Sequence, residues 1–258
     1  TGTAVTASTH YSSVDEDGPS ADRSHSGAEE VAIISFDASS GTIETNISYN
    51  QSAYRWFENV DSTDVGSPMA ATNSAATLSS GGQAFRLRAL LHIGAEDLHR
   101  YGGTFKLQFA QQSGTCDTAF AGESYTDVTG ATTIAYNNNT PTDGAVLTAN
   151  VQDPDHSGHT RRDQSYEELN NFSNTQVAVA SGEDGMWDFA LVDNTAPDNT
   201  TYCFRIVISD GTALDTYTVV PEITTVPENG ILMLGLTPLL AGMLRKFKRK
   251  KGISGKLN

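Results

Sequence analysis

The chain has 258 residues, 38% of them hydrophobic, and its 16 Lys+Arg against 31 Asp+Glu give a formal net charge of −15. That length allows one large all-β domain or two ordinary ones, and the apolar content exceeds that of a disordered chain. The charge is unevenly placed: residues 1–244 carry nine basic and all 31 acidic residues (−22), and residues 245–258 carry seven basic residues and no acid (+7). A body this acidic repels phosphate backbones and anionic lipid, which argues against a nucleic-acid partner, whereas the tail attracts lipid.

In chain order, residues 1–29 are rich in Ser, Asp and Glu and read as a linker or the end of a preceding domain. Strand signals begin at 31–36 and continue at 49–58, which contains Tyr54-Arg55-Trp56-Phe57. The clearest strand is 84–93, where Phe85, Leu87 and Leu91 alternate with Arg86, Arg88 and His92, the pattern of a half-buried strand. Phe105, Leu107 and Phe109 alternate with Lys106 and Gln108 in the same way. Further strands are predicted at 132–136, 176–180, 186–192, 201–209 and 217–223. Turn clusters separate them, and Ser209-Asp210-Gly211 has the composition of a hairpin. Two short helices are predicted at 143–150 and 164–172, the second with Ser165 and Glu168 at capping-box spacing. They flank a polar loop, 151–162, so 140–175 reads as a helical and loop elaboration. The fold class expected is all-β: a single antiparallel β-sandwich over 30–225, Ig-like or jelly-roll-like.

The C-terminal part, 226–258, is a separate segment. Val226-Pro227-Glu228-Asn229 precedes an apolar run from Ile231 to Leu244, followed by Arg245, Lys246, Lys248 and Arg249 within a basic cluster. As a helix the fourteen apolar residues reach roughly 21 Å against a hydrocarbon core of about 30 Å. A polar motif, a short membrane helix and a basic stop make a sorting signal or a plain tail anchor. The positive-inside rule keeps the basic tail cytoplasmic before any processing and the acidic body extracellular. No charged-then-apolar leader follows Thr1, so a leader has been removed or the sequence is a fragment. The two cysteines, Cys116 and Cys203, read as one disulfide in an oxidising compartment, with two buried free thiols as the alternative.

Several phrases together resemble a known domain type: Tyr54-Arg55-Trp56-Phe57-Glu58-Asn59, Phe85-Arg86-Leu87-Arg88, Phe105-Lys106-Leu107-Gln108-Phe109, Ser113-Gly114-Thr115-Cys116 and Tyr202-Cys203-Phe204-Arg205. They are similar to an uncharacterised β-sandwich domain of large exported surface proteins from uncultured bacteria with small genomes, over roughly residues 50–225. The Pro227-Glu228 pair resembles the sorting signal of the Pro-Glu class processed by exosortase-like transpeptidases. The resemblance implies a cell-surface location and, as a partner, a sorting transpeptidase that cuts near 226–229. It implies no chemistry.

Candidate chemistry is sparse. Asn59, Asp61 and Asp64 crowd a loop before Gly66; oxygen donors so spaced suit Ca²⁺, and turn chemistry selects the same residues. Asp153-Pro154-Asp155-His156-Ser157-Gly158-His159 is the densest ligand-like cluster. Its two histidines would share a face only on a helix, which Pro154 and Gly158 oppose, so it reads as a solvated loop tip. Trp56 and Trp187 read as core, with an exposed sugar-stacking platform as the alternative. No nucleophile elbow, phosphate loop, dinucleotide motif or singled-out acid pair is present. The expectation is a non-catalytic, exported surface segment for structural display or adhesion, without a cofactor unless Ca²⁺ binds. The alternative is a carbohydrate-binding module with a glycan partner.

Overall fold

The computed structural model describes residues 47–227. The strand expected at 31–36, most of the segment expected to anchor or sort the chain (Glu228, Asn229, Ile231 to Leu244), and the basic cluster lie outside the described residues. Among those described, no helix is long and apolar enough to cross a membrane.

The described residues are all-β. Twelve strands form two sheets: β1 (Ser48–Glu58), β2 (Ala76–Thr77), β3 (Ala84–Gly94), β4 (Thr104–Gln111), β5 (Thr126–Asp127), β6 (Ile134–Tyr136), β7 (Arg161–Glu167), β8 (Asn171–Ser173), β9 (Asp184–Asp193), β10 (Thr201–Ile208), β11 (Thr216–Tyr217) and β12 (Glu222–Thr224). The first sheet runs β11-β1-β3-β9, and the far edge of β9 is shared by β7 and β6. The second runs β2-β12-β10-β4, and the far edge of β4 is shared by β8 and β5. The long central pairs are antiparallel, but β1–β11, β2–β12 and β7–β9 are parallel, so the sheets are mixed, not purely antiparallel.

Alternation decides the core. Phe85, Leu87, Ala89, Leu91 and Ile93 of β3 pack against Phe105, Leu107 and Phe109 of β4 and Phe204 and Ile206 of β10 in one apolar cluster. Trp56 meets Phe85 and Phe204 edge-on, with ring centroids at 5.7 and 5.3 Å. Trp187 sits against Phe105 and Phe172. Burying each such side chain contributes about 1.5–3 kcal/mol. Gln51 bridges the sheets: its Oε1 accepts from Ile206 N at 2.7 Å and its Nε2 donates to Val219 O at 2.9 Å. Cys116 and Cys203 are disulfide bonded, and no free cysteine remains among the described residues.

Several expectations are corrected. No helix forms at 143–150 or 164–172; Gln164 to Glu167 belong to β7, and Asn171 begins β8. The local capping spacing of Ser165 and Glu168 is overridden by pairing with β9, which buries all four residues from Gln164 to Glu167. Residues 176–180 contribute one isolated bridge, Leu98–Val179. The outward face of β3 is not solvated. Arg86 and Arg88 are fully buried beneath a roof made by loops 59–66 and 147–153.

That roof is organised by charge. Asp188 of β9 receives Arg86 at 2.9 and 2.7 Å and Arg88 at 2.9 Å. Arg86 Nη1 also donates to the carbonyls of Val60, Ser62 and Asp64, and its guanidinium stacks 4.6 Å from the Tyr166 ring. Arg88 donates to Thr63 O, Thr148 O and the Asp153 carboxylate. Burial opposes the Arg88 charge, but Asp188 and Asp153 outweigh it and hold the guanidinium above its ordinary pKa.

Candidate functional site

Each of the residues expected to hold Ca²⁺ has hydrogen-bond partners of its own in the structure. The Asn59 amide exchanges hydrogen bonds with Asn139, Asp61 accepts from the Thr140 backbone and hydroxyl, and Asp64 accepts from Val65 N and Asn150 Nδ2. The carbonyls that a loop-bound cation would use already face Arg86. The Asn and Asp residues do turn and loop-tethering work. Trp56 and Trp187 are both 0% exposed, so the sugar-stacking platform is not built from them.

A different set converges. His92, His156, His159 and Asp184 bring one ligand atom each within 4.8 Å of one another. His92 on β3 and Asp184 on β9 are cross-strand partners on the roofed face of the first sheet. Residues 156 and 159 come from the loop read from sequence as a solvated tip, and that reading is corrected. A turn closed by His159 N donating to His156 O at 3.0 Å brings them together. Gly158 has φ +86° at its third position, which a residue with a Cβ adopts only with strain. The two imidazoles stack at 4.1 Å with 16° between their planes, so the turn achieves what sequence reasoning reserved for a helix.

Asp184 is the fixed point. Its side chain is 1% exposed, against 21% for His92 and 30% for His156. The β1 bulge between Gln51 and Ala53 turns the Ser52 hydroxyl onto the same face, where it donates to Asp184 Oδ1 at 2.8 Å. His156 Nδ1 lies 3.1 Å from Oδ1 and 3.2 Å from Oδ2. His159 Nδ1 lies 2.9 Å from Gly182 O, in the turn that leads into β9. Burial pushes the His92 imidazole below its ordinary pKa; Asp184 works the other way, and His159 and His156 add to the lowering. The arrangement presents three nitrogen donors and one oxygen donor at a rim open to solvent. Sequence reasoning missed His92 and Asp184 because each reads as an ordinary polar strand residue.

A shallow recess of about 460 Å³ lies elsewhere, lined by residues including Tyr136, Asn138, Glu168 and Leu169. Glu168, the acid in this lining, accepts from Tyr166 Oη at 2.7 Å and Asn139 N at 3.1 Å. Glycosidase chemistry needs two carboxylates facing each other at about 5–9.5 Å across such a recess. The neighbouring Glu167 points away and is 2% exposed, paired with the Ser165 hydroxyl. Burial, opposed by Ser165 and aided by Asp143 and Asp188, raises the Glu167 carboxyl to about 8.

That shift fixes a pH dependence. A carboxyl with a raised folded-state pKa carries no penalty below its unfolded value and loses stability as pH rises from about 4.5 to about 8. At about 1.4 kcal/mol per unit, the cost at pH 7 is on the order of 3 kcal/mol. Glu167→Gln is therefore expected to raise the urea midpoint at pH 7–8 and to leave it nearly unchanged at pH 4.5. Equal gains at both pH values would contradict the assignment.

No protein-family model matches the chain, and no curated protein matches it.

Proposed function

We propose that the chain is a non-catalytic segment of an exported cell-surface protein, a disulfide-bonded β-sandwich used for structural display or adhesion. The Cys116–Cys203 bond is the observation that carries this reading, because structural disulfides persist in oxidising compartments outside the cytosol. The resemblance of its sequence phrases to a surface-protein domain, and the apolar and basic C-terminal segment, point the same way. An acidic body keeps such a module soluble, and two sheets pinned together by a large aromatic core suit a spacer. In this reading the C-terminal segment sorts or anchors the protein with its basic end inward.

The test is made on the full protein in the cells that produce it. Intact cells are treated with a membrane-impermeant biotin reagent, and thiols are then trapped under denaturing conditions. Surface labelling with no free thiol is the expected outcome. Protein recovered only from the cytosolic fraction, with two free thiols, would overturn the reading.

A further inference from the structure

We propose that His92, His156, His159 and Asp184 form a binding site for one divalent transition-metal ion, with Zn²⁺ the best match. The donor set comes first. Three imidazoles and one carboxylate suit Zn²⁺ and its neighbours in the first transition row, whereas Ca²⁺ and Mg²⁺ take oxygen donors almost exclusively. Three of the chain's six histidines meet at this point, His156 and His159 from one turn and His92 from a strand more than 60 residues earlier.

The geometry is close to what such an ion requires. Ligands about 2.0–2.1 Å from a tetrahedral ion lie about 3.3–3.4 Å from each other. His156 Nδ1 and His92 Nδ1 stand 3.1 and 3.4 Å from Asp184 Oδ1, so two edges of the tetrahedron already have suitable lengths. His159 supplies the remaining donor. With its Nδ1–H donated to Gly182 O, Nε2 keeps its lone pair for the metal. The whole set spans 4.8 Å at most, which modest rotation of the imidazoles closes.

An independent sign is an orphaned atom. His92 Nδ1 is buried and has no hydrogen-bond partner among the described residues, although the Asp184 oxygen is its neighbour. A buried nitrogen facing a carboxylate without a shared hydrogen bond is costly, and a cation between them removes the cost. The groups that orient the donors are also in place: the Ser52 hydroxyl fixes the carboxylate, and the Gly182 carbonyl fixes one imidazole.

Four protein donors fill a tetrahedral sphere, which is the pattern of a structural site rather than a catalytic one. The ion would clip the 153–160 loop to β3 and β9, and the exposed rim gives it an entry path. Binding to the folded state alone raises stability by mass action.

The experiment uses the full chain, treated with a chelator and then dialysed. Titration with ZnCl₂ followed by calorimetry is expected to show one ion per chain and a rise in Tm, with no competition from millimolar Ca²⁺ or Mg²⁺. Co²⁺ in place of Zn²⁺ should give the intense visible bands of a tetrahedral site. His92→Ala and His159→Ala are each expected to weaken binding at least about 100-fold, and Ser52→Ala about 10-fold. The exposed His99→Ala is the control and should leave binding unchanged. His159→Ala removes a loop side chain, so its circular dichroism should match the parent. Absence of Zn²⁺ binding below about 1 mM overturns the proposal. So does binding that persists unchanged in both His92→Ala and His159→Ala, which would place the metal elsewhere in the chain.

Discussion

Asp188→Ala is expected to lower the unfolding free energy by roughly 3–5 kcal/mol, the range found when one member of a buried ion pair is removed. The carboxylate has two cationic dependants. Arg86 grips it through Nε and Nη2, Arg88 through Nε, and both side chains are 0% exposed. Without Asp188, Arg88 keeps Asp153, which Arg161 also contacts at 3.1 Å, but Arg86 keeps only neutral partners, three carbonyls and the Tyr166 ring. A buried guanidinium cannot discharge by losing its proton, so the structure must open to hydrate it. The opening should come in the roof, because loop 59–66 hangs from Arg86. Hydrogen exchange should therefore accelerate first at Val65 and Gly66, and urea unfolding should give the size of the loss. Asp188→Asn keeps the shape and part of the hydrogen bonding and should fall between the variant and the parent. Arg162→Ala breaks an ion pair whose arginine side chain is 46% exposed and should cost less than about 1 kcal/mol. If Asp188→Ala came within about 1 kcal/mol of the parent, the network would not be holding the roof.

The reasons some of this was visible in sequence, and some not, lie in particular residues. Strand β3 was legible because its alternation is strict: Phe85, Leu87 and Leu91 do face the core. The same alternation misassigned Arg86 and Arg88 to solvent. A two-residue period says which side chains share a face, and is silent on whether a distant loop covers that face. Strand β7 was hidden because its buried residues, Gln164, Ser165, Tyr166 and Glu167, are mostly polar, while a local capping pattern suggested a helix. The cystine was legible because two cysteines permit one pairing. The histidine cluster was only half visible. Two histidines flanking Ser157-Gly158 gave a local turn signal, but Asp184 and His92 join them through sheet register, which sequence spacing does not carry. Asn59, Asp61 and Asp64 are ambiguous in sequence for a related reason: turn tethers and cation ligands are drawn from the same residue types.

Removing the cystine, by Cys116→Ala with Cys203→Ala, is expected to cost about 4–5 kcal/mol in the chain-entropy account, since the bond joins residues 87 apart in sequence. The folded state should change little, because the tethered loop has other anchors. Ser113 N donates to Glu123 at 3.1 Å, and Phe120 packs edge-on to Tyr125 and Tyr217 at 5.3 and 4.7 Å. Arg205 from β10 lies over both Phe120 and Tyr125. Cys203 sits within β10, where it pairs with Ala110 of β4 and Glu222 of β12, so the ladder holds its backbone with or without the sulfur bridge. The loss should therefore arise mainly in the unfolded chain, which gains conformations that the closed loop denied it. That origin has its own signature: the double variant should unfold at lower urea and with a steeper slope, because its unfolded state exposes more surface. A change confined to the local mobility of residues 112–125, with midpoint and slope unaltered, would show that the bond restrains only the loop and contributes little to the stability of the two sheets.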